Sequence, residues 1–154
     1  MNILFVCTGN VCRSFLAEML LKNEIMQNRI EGVDVASAGV HAYDDSPADP
    51  IMIDFLSERN IPVDQHGSRT ITKEMIDWAD LILVMEKSHS KYIENLHPEA
   101  KDKMELISKY ISIDQADDDV IDPFGKSLYH YRLAQSQISL AVRSLSEELI
   151  ANSR

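Results

Sequence analysis

"NILFVCTGNVCRS" (residues 2–14) runs from an unbroken apolar hexapeptide, through a short turn of small and polar residues, into the start of a helical pattern. Short apolar runs rich in Ile, Leu and Val are the mark of strands covered on both faces of a parallel sheet. Cys7 is expected at the carboxyl end of that strand and Ser14 where the first helix begins, with a loop between them. "DLILVM" (80–85) repeats the apolar signature, "VDVASAG" (33–39) alternates apolar with small or polar residues, and "MELIS" (104–108) supplies a weaker fourth strand. Helical patterns lie between them. Ala17, Leu20, Leu21 and Ile25 form one stripe, "ADPIMIDFLSE" (48–58) is a second helix opened by a proline, and Ala134, Ile138, Ala141, Val142, Leu145 and Leu149 mark a long C-terminal helix. This alternation predicts an α/β fold: an open, parallel four-stranded sheet with right-handed crossovers and helices on both faces. Ligands in such sheets bind outside the carboxyl ends of the strands, which is where the loop after Cys7 falls.

The 154 residues, 45% of them hydrophobic, suit one domain spanning 1–154 with a sizeable core. A net charge of −10 repels polyanions, so no nucleic-acid partner is expected, and an anionic substrate must be held by local groups. Met1 leads directly into "NILFVC" with no basic leader, and no apolar stretch approaches the roughly 18 residues that span a bilayer. The expectation is a cytoplasmic protein with no membrane partner. Cys7 and Cys12 are the only cysteines, which points to a site and not to a disulfide scaffold.

A strand–loop–helix junction aims backbone N–H groups and a helix N-terminus at one centre, a ready anion site. Gly9 and Asn10 suit the left-handed conformations such a turn demands. These dipoles, with Arg13, favour the anionic, nucleophilic form of the Cys7 sulfur. The planar fork of Arg13 matches two phosphate oxygens. Cys-x5-Arg alone arises by chance in about one such sequence in eleven, so the strand before and the helix after carry the specificity. Thiolate attack on phosphorus needs an acid for the leaving oxygen. Among the aspartates of "DQADDDVIDP" (114–123), Asp117, Asp118 and Asp119 read as a solvated acidic loop, whereas Asp122 is held extended by Pro123. The same carboxylate can then activate water, with no metal or other cofactor.

The stretch Cys7, Gly9, Asn10, Cys12, Arg13, Ser14 resembles the signature of the low-molecular-weight protein tyrosine phosphatase family. "SAGV" (37–40), "ADP" (48–50), "HGSR" (66–69), "DLILVM" (80–85) and "DPFG" (122–125) are similar to further family landmarks in family order. The resemblance implies a flavodoxin-like fold and a metal-independent phosphatase acting on phosphorylated proteins and releasing inorganic phosphate. It implies Cys7 as nucleophile, Arg13 as phosphate ligand, Asp122 as general acid, and Thr8, Gly9, Asn10, Val11, Cys12 and Ser14 as the phosphate-binding loop. It also implies that His66 braces Asn10 and that Tyr43 and Phe124 wall the substrate ring.

Phe124 stands where the family usually has tyrosine, and Phe15 where proline is common. Val11 lacks the hydroxyl of the threonine found in the related protein-arginine phosphatases, although "DVIDPFG" is similar to that branch. Phosphotyrosine is therefore the expected substrate, phosphoarginine the alternative. A thiol-based arsenate reductase would relay electrons through cysteines downstream, and none follows Cys12. A phosphate-recognition module with a decayed site is at odds with intact Cys7, Arg13 and Asp122. Scattered histidines argue against zinc, and Cys12 is either a redox partner for Cys7 or a packing residue. His41, His89, His97 and His130 are expected at the surface or in loops. Met19, Met26, Met52, Met75 and Trp78 are expected as core filler, and Tyr129 and Tyr131 as structural residues of the last helix.

Overall fold

The apolar hexapeptide forms the interior strand β1 (Asn2–Cys7), whose pleat sends Ile3, Phe5 and Cys7 into one core and Leu4 and Val6 into another. A computed structural model describes residues 1–63 and 65–154. After β1 come α1 (Arg13–Asn28), β2 (Asp34–Gly39), α2 (Pro50–Glu58), α3 (Lys73–Trp78), β3 (Leu81–Val84), α4 (Lys87–Leu96), β4 (Met104–Leu106) and α5 (Leu128–Asn152). The strands pair in parallel in the order β2-β1-β3-β4, with Cys7 opposite Gly39 and Val6 opposite Val84. Strand order thus reverses between β1 and β3, and the crevice at such a switch point is where open α/β sheets take ligands.

The two cores lie on opposite faces of the sheet. On one, Phe15, Leu16 and Met19 of α1, Met52 and Leu56 of α2, and Ile138, Val142 and Leu145 of α5 cover Ile3, Phe5 and Leu83. On the other, Ile76 of α3 and Ile93 of α4 cover Leu4, Val6, Ile82 and Val84. Helix α2 starts at Pro50, with the Asp49 side chain accepting from the Ile51 N–H, so the proline opens the helix as expected. The six apolar positions assigned to the C-terminal helix are all buried on α5.

Three expectations need correction. Strand β4 stops at Leu106 because its partner β3 ends there, and residues Ile107–Tyr110 turn into a 3₁₀ segment that drops Ile107 into the first core. Met26 and Trp78 are 56% and 37% exposed, not core filler, since each lies on the outer side of its helix. His89 is buried and so is not a surface histidine, whereas His41 is exposed in a turn as expected and also borders a cavity.

Gly39 ends β2 directly beneath the loop that follows β1. A Cβ there would sit 2.4 Å from the Thr8 carbonyl oxygen and 3.0 Å from the Asn10 nitrogen, both backbone atoms that cannot swing away. Gly39→Ala is expected to cost about 1–3 kcal/mol through this overpacking, read as a fall in the urea midpoint. An unchanged midpoint would show that the loop can lift off β2 freely.

Candidate active site

The loop between β1 and α1 is shaped by Asn10, which is fully buried with φ 56°, the left-handed conformation that asparagine tolerates. Gly9 does not share it: its φ is not positive, so the left-handed role falls on Asn10 alone. The Asn10 amide donates to Ser14 Oγ and Ser37 Oγ, each at 2.9 Å, and its Oδ1 accepts from the Arg69 N–H at 3.0 Å. His66 Nε2 donates to the Asn10 carbonyl at 2.7 Å, and the half-buried ring packs on Phe15 at 4.8 Å. Every polar group of a buried residue is thereby satisfied, which holds an otherwise costly turn in place.

Cys7 Sγ lies inside this turn, 2.9 Å from Ser14 Oγ and 3.3 Å from the Asn10 N–H. Ser14 Oγ already accepts from Asn10, so its own proton is free to be donated to the sulfur. Both cysteines are buried free thiols. Burial first, then the charges of Asp49 and Cys7, push the Cys12 thiol well above its ordinary range, which disfavours its thiolate form.

Helix α1 begins with Arg13, one residue before the expected start, and the guanidinium is 1% exposed. Its Nη1 donates to Glu86 Oε2 at 2.7 Å and to the Val120 carbonyl at 2.6 Å. Its Nη2 lies 3.7 Å from Asp122 Oδ2 and 3.5 Å from Thr8 Oγ1. Among the described residues, Arg13 Nε is the one buried side-chain nitrogen or oxygen without a partner. A desolvated cation with an N–H left over is suited to an incoming oxyanion.

Asp122 is 44% exposed, and its Oδ1 accepts from the Phe124 N–H at 3.1 Å across the buried Pro123. This carboxylate, Cys7, Thr8 and Arg13 share a cavity of about 400 Å³ whose sides include Val11, Tyr43 and Phe124. Tyr43 and Phe124 are 85% and 64% exposed, as walls of an open cleft should be. The other loop aspartates divide: Asp117 and Asp118 are exposed, while Asp119 accepts from the Lys87 N–H at 2.8 Å and anchors the start of α4.

Several site residues carried no recognisable signal in the sequence. Glu86 and His89 follow β3, Ser37 lies on β2, and Asp49 accepts from the buried Tyr131 hydroxyl at 2.6 Å, tying α2 to α5. Ser37 is legible only as the first residue of the landmark "SAGV", and the Asp49-Pro50 pair announces itself as a helix start.

His89 donates from Nε2 to Thr8 Oγ1 at 3.0 Å and accepts at Nδ1 from the Glu86 N–H at 3.1 Å. Burial, then Arg13, hold it down to about 4, against the opposing pull of Glu86, Asp119 and Asp122. Because the folded value is depressed, the unfolded chain binds more protons as pH falls below 6.5. The stabilisation from the neutral ring is complete above that pH and is lost as pH drops toward 4. Urea unfolding of wild type and His89→Gln at intervals from neutral pH downward should show wild type losing its advantage on acidification. A constant gap between the two would contradict this.

A family model described as low molecular weight phosphotyrosine protein phosphatase matches residues 2–154. The chain is 40% identical over 148 residues to a protein-arginine-phosphatase of Geobacillus stearothermophilus, covering 96% of this chain and 95% of that protein. It is 36% identical over 126 residues to the low molecular weight protein-tyrosine-phosphatase Etp of Escherichia coli (strain K12), covering 82% and 79%. Among solved structures, the YwlE arginine phosphatase, a Cys-to-Ser mutant with a phosphorylated active-site serine, superposes with a TM-score of 0.88 at 34% identity over 97% of this chain and 95% of that one. With the strand order and the loop already described, these matches place the chain in the low molecular weight phosphotyrosine protein phosphatase family, whose members are hydrolases acting on phosphorylated proteins.

Proposed function

We propose that the protein hydrolyses phosphotyrosine in proteins through a cysteinyl-phosphate intermediate, with residues 1–154 acting as one phosphatase domain. The observation that carries this reading is the unpartnered Nε of buried Arg13, a residue that lines one cavity with Cys7, whose sulfur Ser14 and Asn10 both contact. Cys7 Sγ attacks phosphorus, and the bond to the tyrosine oxygen breaks as Asp122 delivers a proton to it. Arg13, through Nε and Nη2, and the amides of residues 8–12 hold the phosphoryl oxygens and stabilise the charge that builds on them. Asp122, now a carboxylate, takes a proton from water as water attacks the cysteinyl phosphate, releasing inorganic phosphate and restoring Cys7. The phosphorylated active-site serine of the YwlE relative supports covalent transfer at this position. The chemistry is carried by side chains and amides, so no metal or other cofactor enters the scheme, and cytoplasmic phosphoproteins are the proposed partners. The acidic surface keeps nucleic acid from the cleft.

Substrate choice rests on the cleft walls. Val11 gives the loop rim an apolar surface, and Tyr43 and Phe124 offer ring faces to an aryl group. The similarity to protein-arginine phosphatases supports phosphoarginine as the second reading.

Cys7→Ser is expected to abolish turnover of p-nitrophenyl phosphate, and wild-type activity should survive a chelator. Asp122→Ala should slow phenyl phosphate by about 10²- to 10⁴-fold and p-nitrophenyl phosphate far less, since nitrophenolate leaves without a proton. Equal slowing of the two esters would remove Asp122 from the acid role. In a comparison of phosphotyrosine and phosphoarginine peptides, wild type should prefer the first and Val11→Thr should shift toward the second. A wild-type preference for phosphoarginine would replace the leading reading with the second.

A further inference from the structure

The pair His89 and Thr8 is not among the family signature residues, yet it abuts the reacting centre. His89 is 1% exposed on α4, and its contacts fix which ring nitrogen carries the proton. The Glu86 backbone N–H can only donate, so Nδ1, 3.1 Å away, must be the bare acceptor. The neutral ring then has its proton on Nε2, which points at Thr8 Oγ1 over 3.0 Å. Arg13 Nη2 also donates to Thr8 Oγ1, at 3.5 Å. Both lone pairs of the threonine oxygen are thus engaged by donors. Its own proton is used by neither contact and is available to an acceptor in the cavity that Thr8 lines together with Cys7 and Arg13.

Resting on the phosphatase reading above, we propose that the Thr8 hydroxyl donates a hydrogen bond to the transferring phosphoryl group, and that His89 is the positioning residue that orients it. Thr8 is the group that touches substrate; His89 acts only through it. A backbone amide is fixed by the loop, but a hydroxyl rotates, and without His89 the Thr8 proton would spend its time on other acceptors. Glu86 completes the arrangement from both ends. Its backbone N–H sets the imidazole tautomer, and its carboxylate takes Arg13 Nη1 at 2.7 Å, leaving Nη2 free to face Thr8. A donor aimed where charge accumulates is worth more in the transition state than in the ground state.

The test is a double-mutant cycle on kcat/KM for p-nitrophenyl and phenyl phosphate, with vanadate inhibition as a second readout and thermal melts to confirm folding. Thr8→Val keeps the side-chain shape and should lower kcat/KM by about ten- to a hundredfold, equally for both esters, and weaken vanadate in proportion. Equality across leaving groups separates this role from that of Asp122. His89→Leu should match the Thr8→Val loss, the double variant should lose no more than either single one, and His89→Gln, which can accept from Glu86 and donate to Thr8, should recover most of the rate. Wild-type rates in Thr8→Val, or a double-variant loss equal to the product of the two single losses, would overturn the proposal. Cys7→Ser assayed alongside keeps the two readings apart: if it is inactive while Thr8→Val is unimpaired, the hydroxyl donor alone is refuted. If Cys7→Ser retains full activity, the phosphatase mechanism itself fails.

Discussion

Arg13 is a full positive charge that the fold has removed from water, and the rest of the site is arranged around that fact. A guanidinium 1% exposed is tolerable only where its N–H groups are met by acceptors. Glu86 and the Val120 carbonyl meet one nitrogen at 2.7 and 2.6 Å, and Asp122 stands off the second at 3.7 Å. Nε has no partner at all. The compensation is therefore one-sided. Electrostatic attraction is strong around a guanidinium so removed from water, and Arg13 lines the same cavity as Cys7, so in the proposed mechanism an oxyanion supplies the acceptor that the protein leaves out.

Asn10 plays the complementary role for the backbone. Its left-handed turn bends the chain so that the loop closes around Cys7, and its side chain bonds link α1 to β2 and to residues 66–69. Ser14 belongs to both systems, since it accepts from Asn10 and contacts the sulfur. Gly39 supplies the clearance beneath, where any side chain would strike the Thr8 carbonyl.

Much of this was legible in the sequence because it is local. The strand–loop–helix junction, the Cys7 and Arg13 spacing and the proline-held Asp122 all declare themselves within a few residues. The strand order could not be read that way, as parallel strands carry no register signal in their own residues. Glu86 and His89 were missed for a related reason: they lie 73 and 81 positions from their loop partners, and a histidine in "EKSHS" looks like any polar helix start until β3 sets it beside β1. In the sequence Asp119 looks like solvated charge because its partner, the Lys87 amide, is 32 residues away. Conversely, Met26 and Trp78 satisfied an apolar pattern that the tertiary packing left on the outside.

The loop's anchors come from 27, 56, 59 and 81 residues along the chain, so its shape exists only once β2, the 66–69 segment and α4 have all docked. An oxyanion bound there makes contacts available to the native chain and absent from the unfolded one, which makes it a clamp on tertiary structure as well as a reactant. By mass action, inorganic phosphate bound as the proposed mechanism requires would raise resistance to unfolding by RT ln(1 + [L]/Kd). On that proposal the product of turnover would also be a preservative of the catalyst, with the fraction of chains kept intact rising and falling with the phosphate content of the medium.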